Sequence, residues 1–203
     1  MGVKIDRVEV FGFGAAMRGM RNPWDSHDRL DTFCETIGPK DMKLAKRLLR
    51  SPEERKFLRF IQVWFDLTLP RHTWVEFDTY KIGVSKNSCS TMNCLAIDRK
   101  SKMTRFFRKE DFYNGDVSKE TIYELNLLAA QWKENKSDRD NILLSLKGRL
   151  PESYLLTATV NANYEALLNM YFQRKDHRLE TWHGVCKWIE TLPCMSDFIS
   201  GIK

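Results

Sequence analysis

The sequence holds no apolar run approaching the ~18 residues needed to cross a bilayer as a helix. Its opening, MGVKIDRVEVF, carries Lys4, Asp6, Arg7 and Glu9 where a signal peptide is continuously apolar, so a soluble cytoplasmic protein is expected. Glycine and proline are scarce, at ten and six of 203 residues, while Phe, Trp and Tyr number twelve, six and six. That balance excludes collagen-like, low-complexity and disordered chains and predicts a real core. Cysteines at 34, 89, 94, 186 and 194 are odd in number and contain no C-x-x-C, which points to reduced thiols rather than a disulfide framework. Among the four histidines, only His183 lies near metal-ligand spacing of a cysteine, Cys186. Two ligands make neither a structural nor a catalytic zinc site, and no metal is expected. G-x-S-x-G, a Walker loop and H-E-x-x-H are all missing, which removes the common hydrolase and NTPase readings. Gly12 and Gly14 imitate a dinucleotide fingerprint, but Met17 stands in place of the third glycine and no βαβ crossover follows.

What the chain does have is a modest positive excess, 33 Lys+Arg against 27 Asp+Glu for a net charge of +6. The segment Arg99–Lys109, RKSKMTRFFRK, concentrates six basic residues with Phe106 and Phe107 between them. It reads either as a nucleic-acid patch or as a solvated loop anchored by aromatics. The near balance of the remaining chain favours the loop, so no nucleic-acid partner is expected.

Periodicity suggests one α+β domain over residues 1–203, an antiparallel or mixed sheet with flanking helices. Val3, Ile5, Val8 and Val10 predict an opening strand, and Ile61, Val63, Phe65, Leu67 and Leu69 alternate in the clearest strand of the chain, ended by Pro70. Helices are expected from Pro39, from Ser51-Pro52-Glu53-Glu54, over 71–82 with Trp74, Phe77 and Tyr80 inward, over 119–133 capped by Ser118, and from Ser137 toward Gly148. A strand over YLLTATVN and helices over about 163–174 and 179–192 complete the pattern.

Two segments attract chemistry. Ser85-Lys86-Asn87-Ser88-Cys89-Ser90-Thr91 is rich in small donors of the kind that hold an anion, or is an ordinary polar turn. Arg174, set among Met170, Tyr171 and Phe172, is either paired with Glu180 or held for a ligand.

Taken together with their order along the chain, these segments resemble the flavin-dependent thymidylate synthases. The strand IQVWFDLTLP, then Ser85, Asn87 and Ser90, then Leu150-Pro151, Tyr154, Thr159-Val160-Asn161, Asn163, Leu167, Asn169 and Arg174 follow that family's blocks, and Arg18 with Arg21 looks like its Arg-x-x-Arg segment. The pattern is incomplete. Thr79-Tyr80-Lys81 stands for Arg-His-Arg, Ser88 for a Glu, Met92 for the loop's final Arg, Glu76 for a Gln, and Lys147 for an Arg before Leu-Pro.

The resemblance implies reductive methylation of dUMP or a related deoxypyrimidine nucleotide. FAD reduced by NADPH would be the cofactor, methylenetetrahydrofolate the carbon donor, and a homotetramer the assembly. It assigns Ser88, Ser90, Thr91, Lys147, Arg18, Arg21 and Arg174 to the nucleotide, with Arg174 and Ser90 nearest the chemistry. Tyr80, Lys81, Ser85, Asn87, Asn163 and Asn169 go to the flavin. A nucleotide-binding protein of the same fold without methylation, or one acting on another pyrimidine, stays open.

Overall fold

The computed structural model describes residues 3–98 and 101–202, which form four strands and nine α-helices among the described residues. The strands β1 (Lys4–Phe11), β2 (Gln62–Pro70), β3 (Val84–Ser88) and β4 (Leu155–Asn163) hydrogen-bond in the antiparallel order β1-β2-β4-β3. In β2 the predicted alternation holds: Val63, Phe65, Leu67 and Leu69 are buried, while Asp66 and Thr68 face the opposite side. There the Thr159 hydroxyl donates to Asp66 at 2.6 Å and Thr68 meets Thr157 at 2.7 Å. In β1 the apolar parity changes between Ile5 and Val8, and Arg7 lies between them at φ 52°, a left-handed residue that resets which face each side chain meets.

By contact the chain divides into two compact units. The first holds Thr68–Phe77 and Asn87–Ala158, with helices α3 (Arg71–Phe77), α4 (Thr91–Cys94), α5 (Lys119–Glu134) and α6 (Arg139–Arg149). Ser118 caps α5 as predicted, its Oγ accepting from the Thr121 N–H at 3.0 Å. Leu125, Ala129, Leu143, Leu146, Phe107, Phe112 and Tyr154 build the core of this unit, with Ile122 and Trp132 against it. Asp138, not Ser137, precedes α6, because the Ser137 hydroxyl donates to Asn135 instead.

Helix α3 ends at Phe77, well short of the predicted 71–82. Trp74 and Phe77 meet edge-on at 5.1 Å and complete its buried stripe, whereas Tyr80 lies beyond the helix with partners of its own. The expected polar loop at 85–91 is instead the exposed strand β3 followed by the single turn α4.

The second unit holds Ile5–Leu67, Asp78–Lys86 and the chain from Thr159 onward. Its helices are α1 (Phe13–Arg21), α2 (Pro39–Leu48), α7 (Tyr164–Arg174), α8 (Glu180–Thr191) and α9 (Met195–Ile202), the last not anticipated from sequence. The expected α-helix at Ser51-Pro52 is a 3-10 segment, Pro52–Phe60, because the Ser51 hydroxyl bonds Glu53 at 2.7 Å rather than capping a backbone N–H. Tyr164 sits at the centre of this core, edge-on to Phe13 at 5.5 Å and Phe198 at 6.1 Å.

Arg21 was expected at the nucleotide. It is instead a structural cation: it is 5% exposed and bonds the fully buried Asp41 at 2.6 Å. The other oxygen of Asp41 accepts from the Thr32 N–H and hydroxyl at 2.9 and 2.6 Å. Removing one partner of such a pair strands a charge away from water. Asp41→Ala is therefore expected to cost about 3–5 kcal/mol of stability, read as a lower urea midpoint.

Burial raises the phenol of Tyr164, and that of Tyr154 to about 12, while the hydrogen bond to Glu190 raises Tyr171 to about 12. A pKa raised on folding means stability that is present below the free-tyrosine value of about 10 and is lost as pH climbs through the folded value. Urea unfolding is accordingly expected to shift to lower midpoints from about pH 10 upward. A midpoint unchanged between about pH 9 and about pH 12 would refute this.

Candidate functional site

The residues picked out by the sequence fall into two clusters, one in each unit. In the first unit, Asn87 and Ser88 end strand β3, which lies at the sheet edge with its residues from Ser85 onward exposed. Ser90 precedes α4 and its carbonyl accepts from the Asn93 and Cys94 N–H groups at 3.1 and 3.0 Å. Thr91 and Met92 follow. Met92 is 55% exposed, and the Lys147 ammonium on α6 donates to its sulfur at 3.4 Å. Two positions 55 residues apart in sequence thus meet at one point on the surface.

The Cys89 thiol next to them is not activated. Burial raises its pKa and the neighbouring Cys94 thiol raises it further, against a weaker pull from Arg105. A nucleophilic cysteine needs the opposite shift. Cys186, raised by burial to about 11, and Cys194, also raised by burial, are equally inert. His183, the other half of the pair near metal spacing, bonds the His177 carbonyl at 2.6 Å.

In the second unit the centre is Arg174, the last residue of α7. Its Nε donates to the Tyr80 hydroxyl at 2.9 Å, and its guanidinium lies 4.8 Å from the centre of the Trp182 ring and 5.7 Å from that of Tyr80. Tyr80 in turn donates to Gln173 at 3.0 Å. Arg174 is thus engaged by two aromatic rings. Trp182 was missed as a site residue. Its signal was an aromatic eight positions beyond the arginine, which only the packing of α7 against α8 converts into a stacking platform.

Asn163 is the N-cap of α7: its Oδ1 accepts from the Ala166 N–H at 2.9 Å, and its own N–H donates to the Gly83 carbonyl at 2.9 Å. That is a structural duty, where a flavin contact was expected. Asn169 on α7, Lys81 and Ser85 are exposed. Arg18 is exposed on α1, while Arg21 is spent on Asp41.

In the basic segment Lys102, Phe106, Arg108 and Lys109 are exposed. Arg99 and Lys100 lie outside the described residues. Phe107 is buried, its backbone N–H and carbonyl both bonded to the Asn126 side chain. Arg105 pairs with Asp111 at 3.4 Å and lies 5.8 Å from the Phe107 and Tyr154 ring centres.

No protein-family model matches the sequence, and no curated protein matches it. Solved structures do. A flavin-dependent thymidylate synthase, ThyX, from Helicobacter pylori complexed with FAD and dUMP superposes over 100% of both chains at 20% identity and a TM-score of 0.73. Another structure of ThyX from the same organism with the same ligands gives 19% identity and a TM-score of 0.71 over 100% of both chains. The UMP/dUMP methylase PolB from Streptomyces cacaoi, bound with 5-Br dUMP, covers 98% of this chain and 94% of its own at 14% identity and a TM-score of 0.66. The fold of this chain is that of the flavin-dependent thymidylate synthases.

Proposed function

We propose that this protein is a flavin-dependent modifying enzyme of a pyrimidine nucleotide, with dUMP or a close relative as substrate. The observation that carries this reading is the Lys147–Met92 contact. The resemblance assigns the position of Met92 to the nucleotide phosphate and Lys147, ahead of Leu150-Pro151, to the nucleotide, and the two are in contact. Lys147 supplies the cation there, with the hydroxyls of Ser88, Ser90 and Thr91 as donors beside Met92 in sequence.

Lys81, Ser85, Asn87 and Asn169 are exposed donors and fit a flavin's many acceptor atoms. Asn163 and Tyr80 do so less well, since their polar atoms are engaged within the protein. These residues would hold a reduced flavin, which would supply the hydride that completes a methyl group. The chain's part is to orient: the stack on Trp182 fixes the plane of Arg174, whose charge faces the pyrimidine in this assignment. NADPH as reductant, methylenetetrahydrofolate as carbon donor and a homotetramer follow from the same resemblance. The raised thiol pKa values support cofactor chemistry over a cysteine nucleophile.

The second reading is a nucleotide-binding protein of this fold without methyl transfer. Met92 and Thr79-Tyr80-Lys81, in place of charged or ring-nitrogen groups, favour it. The visible spectrum of purified protein separates the two, because a retained yellow cofactor belongs only to the first.

Met92 is exposed, so an arginine there adds a second cation beside Lys147 without disturbing the core. Met92→Arg is expected to tighten dUMP binding by about 1.5–3 kcal/mol, more at low salt. Calorimetry showing no change would remove the phosphate assignment.

Arg174→Ala is expected to abolish dUMP binding and also to lower stability by about 1–3 kcal/mol, since it deletes a stacked cation and a charged hydrogen bond. Arg174→Lys should recover part of the affinity but little of the stacking. Thermal unfolding and titration of both variants test this together.

A further inference from the structure

In the second unit, α1, α2 and the Pro52–Phe60 segment enclose an open cleft of about 1540 Å³. Its lining is strongly cationic. Lys40, Lys43, Arg47 and Arg50 are exposed and recur along α2 and the turn after it. At ~100° per residue they fall within about 80° of one another and span about 15 Å. Lys56 and Arg29 add to this row, against Asp28, Glu53 and Glu54. Lys43, Arg47, Arg50 and Lys56 form no ion pair among the described residues, whereas Lys46 is taken by Asp197 at 2.7 Å.

Two aromatic rings also line the cleft, and both are exposed: Trp24 at 86% and Phe60 at 55%. The backbone carrying Trp24 and the ring of Phe60 each have neighbours. Trp24 ends a 3-10 turn closed by the Asp25 N–H on the Asn22 carbonyl at 3.1 Å, and the buried Arg21 reaches the Ser26 carbonyl at 3.5 Å. Phe60 lies over Gly19, where a Cβ would stand 3.5 Å from the ring.

From this we infer that the cleft binds a single strand of nucleic acid, by its phosphates along α2 and by base stacking on Trp24 and Phe60. The cation row is longer than one phosphate group, which excludes a mononucleotide as the full occupant. Exposed aromatic rings are what unpaired bases stack on, and a duplex offers no such faces. This site is independent of the nucleotide function proposed above and lies apart in sequence from Arg99–Lys109, for which the sequence favoured a solvated loop.

The test is fluorescence anisotropy of the full chain with labelled oligo-dT and oligo-rU of equal length, across a salt series, with poly-glutamate as competitor. Four neutralised phosphates give a log–log salt slope of about −3. Lys43→Glu/Arg47→Glu is expected to weaken binding at least tenfold and to roughly halve that slope, and Trp24→Ala to weaken it about fivefold or more with the slope kept. Lys187→Glu, on the exposed side of α8, should leave binding unchanged. Preference between the two oligonucleotides identifies DNA or RNA as the strand. The inference is overturned if neither oligonucleotide binds at about 50 mM salt, if the double variant binds as wild type does, or if poly-glutamate displaces the strand at equal charge concentration. Trp24→Ala keeps the question answerable should the double variant unfold, because it removes a ring that the core does not use.

Discussion

The Tyr80–Arg174 cluster depends on how Gly83 meets Asn163. Gly83 has φ +73°, and a Cβ on it would lie 2.3 Å from the Asn163 amide, so the turn can close only with glycine there. Asn163 uses that closeness three ways: its N–H bonds the Gly83 carbonyl, its side chain caps α7, and the next N–H, of Tyr164, bonds Ile61 ahead of β2. The turn carrying Tyr80 and Lys81 is thereby fixed to the start of the helix that ends in Arg174.

A second constraint is how the chain spends its cations. Arg21, Arg59, Arg105 and Arg174 are all engaged, with Asp41, Glu165, Asp111 and the Tyr80–Trp182 pair respectively. Charge in the sequence therefore says little about charge offered to a partner. Other cations are exposed, among them Arg18, Lys81 and the row along α2. The thiols tell a parallel story, since every resolved shift pushes them away from thiolate.

Much of the fold was legible because it rests on local periodicity. The alternation of β2, the Ser118 cap of α5 and the apolar stripe of α8 are each written within a dozen residues, and burial of one face enforces them. Errors came where a polar side chain had several possible partners. Ser51 and Ser137 both look like helix caps, yet each bonds a neighbouring side chain instead. Tyr80 continues a helical stripe on paper but leaves it, because its hydroxyl finds Gln173 and Arg174 far along the chain.

The sequence by itself determined the order of elements and a set of site blocks whose succession resembles one enzyme family. Those features depend on residue type and spacing, which are properties of a chain at any conformation. Only the tertiary structure decided that Lys147 reaches Met92, that Trp182 stacks on Arg174, that Arg21 is buried on Asp41, and that exposed cations along α2 line one cleft. Each of these joins residues from separate elements, and a contact of that kind is set by how the elements pack, which local patterning leaves open.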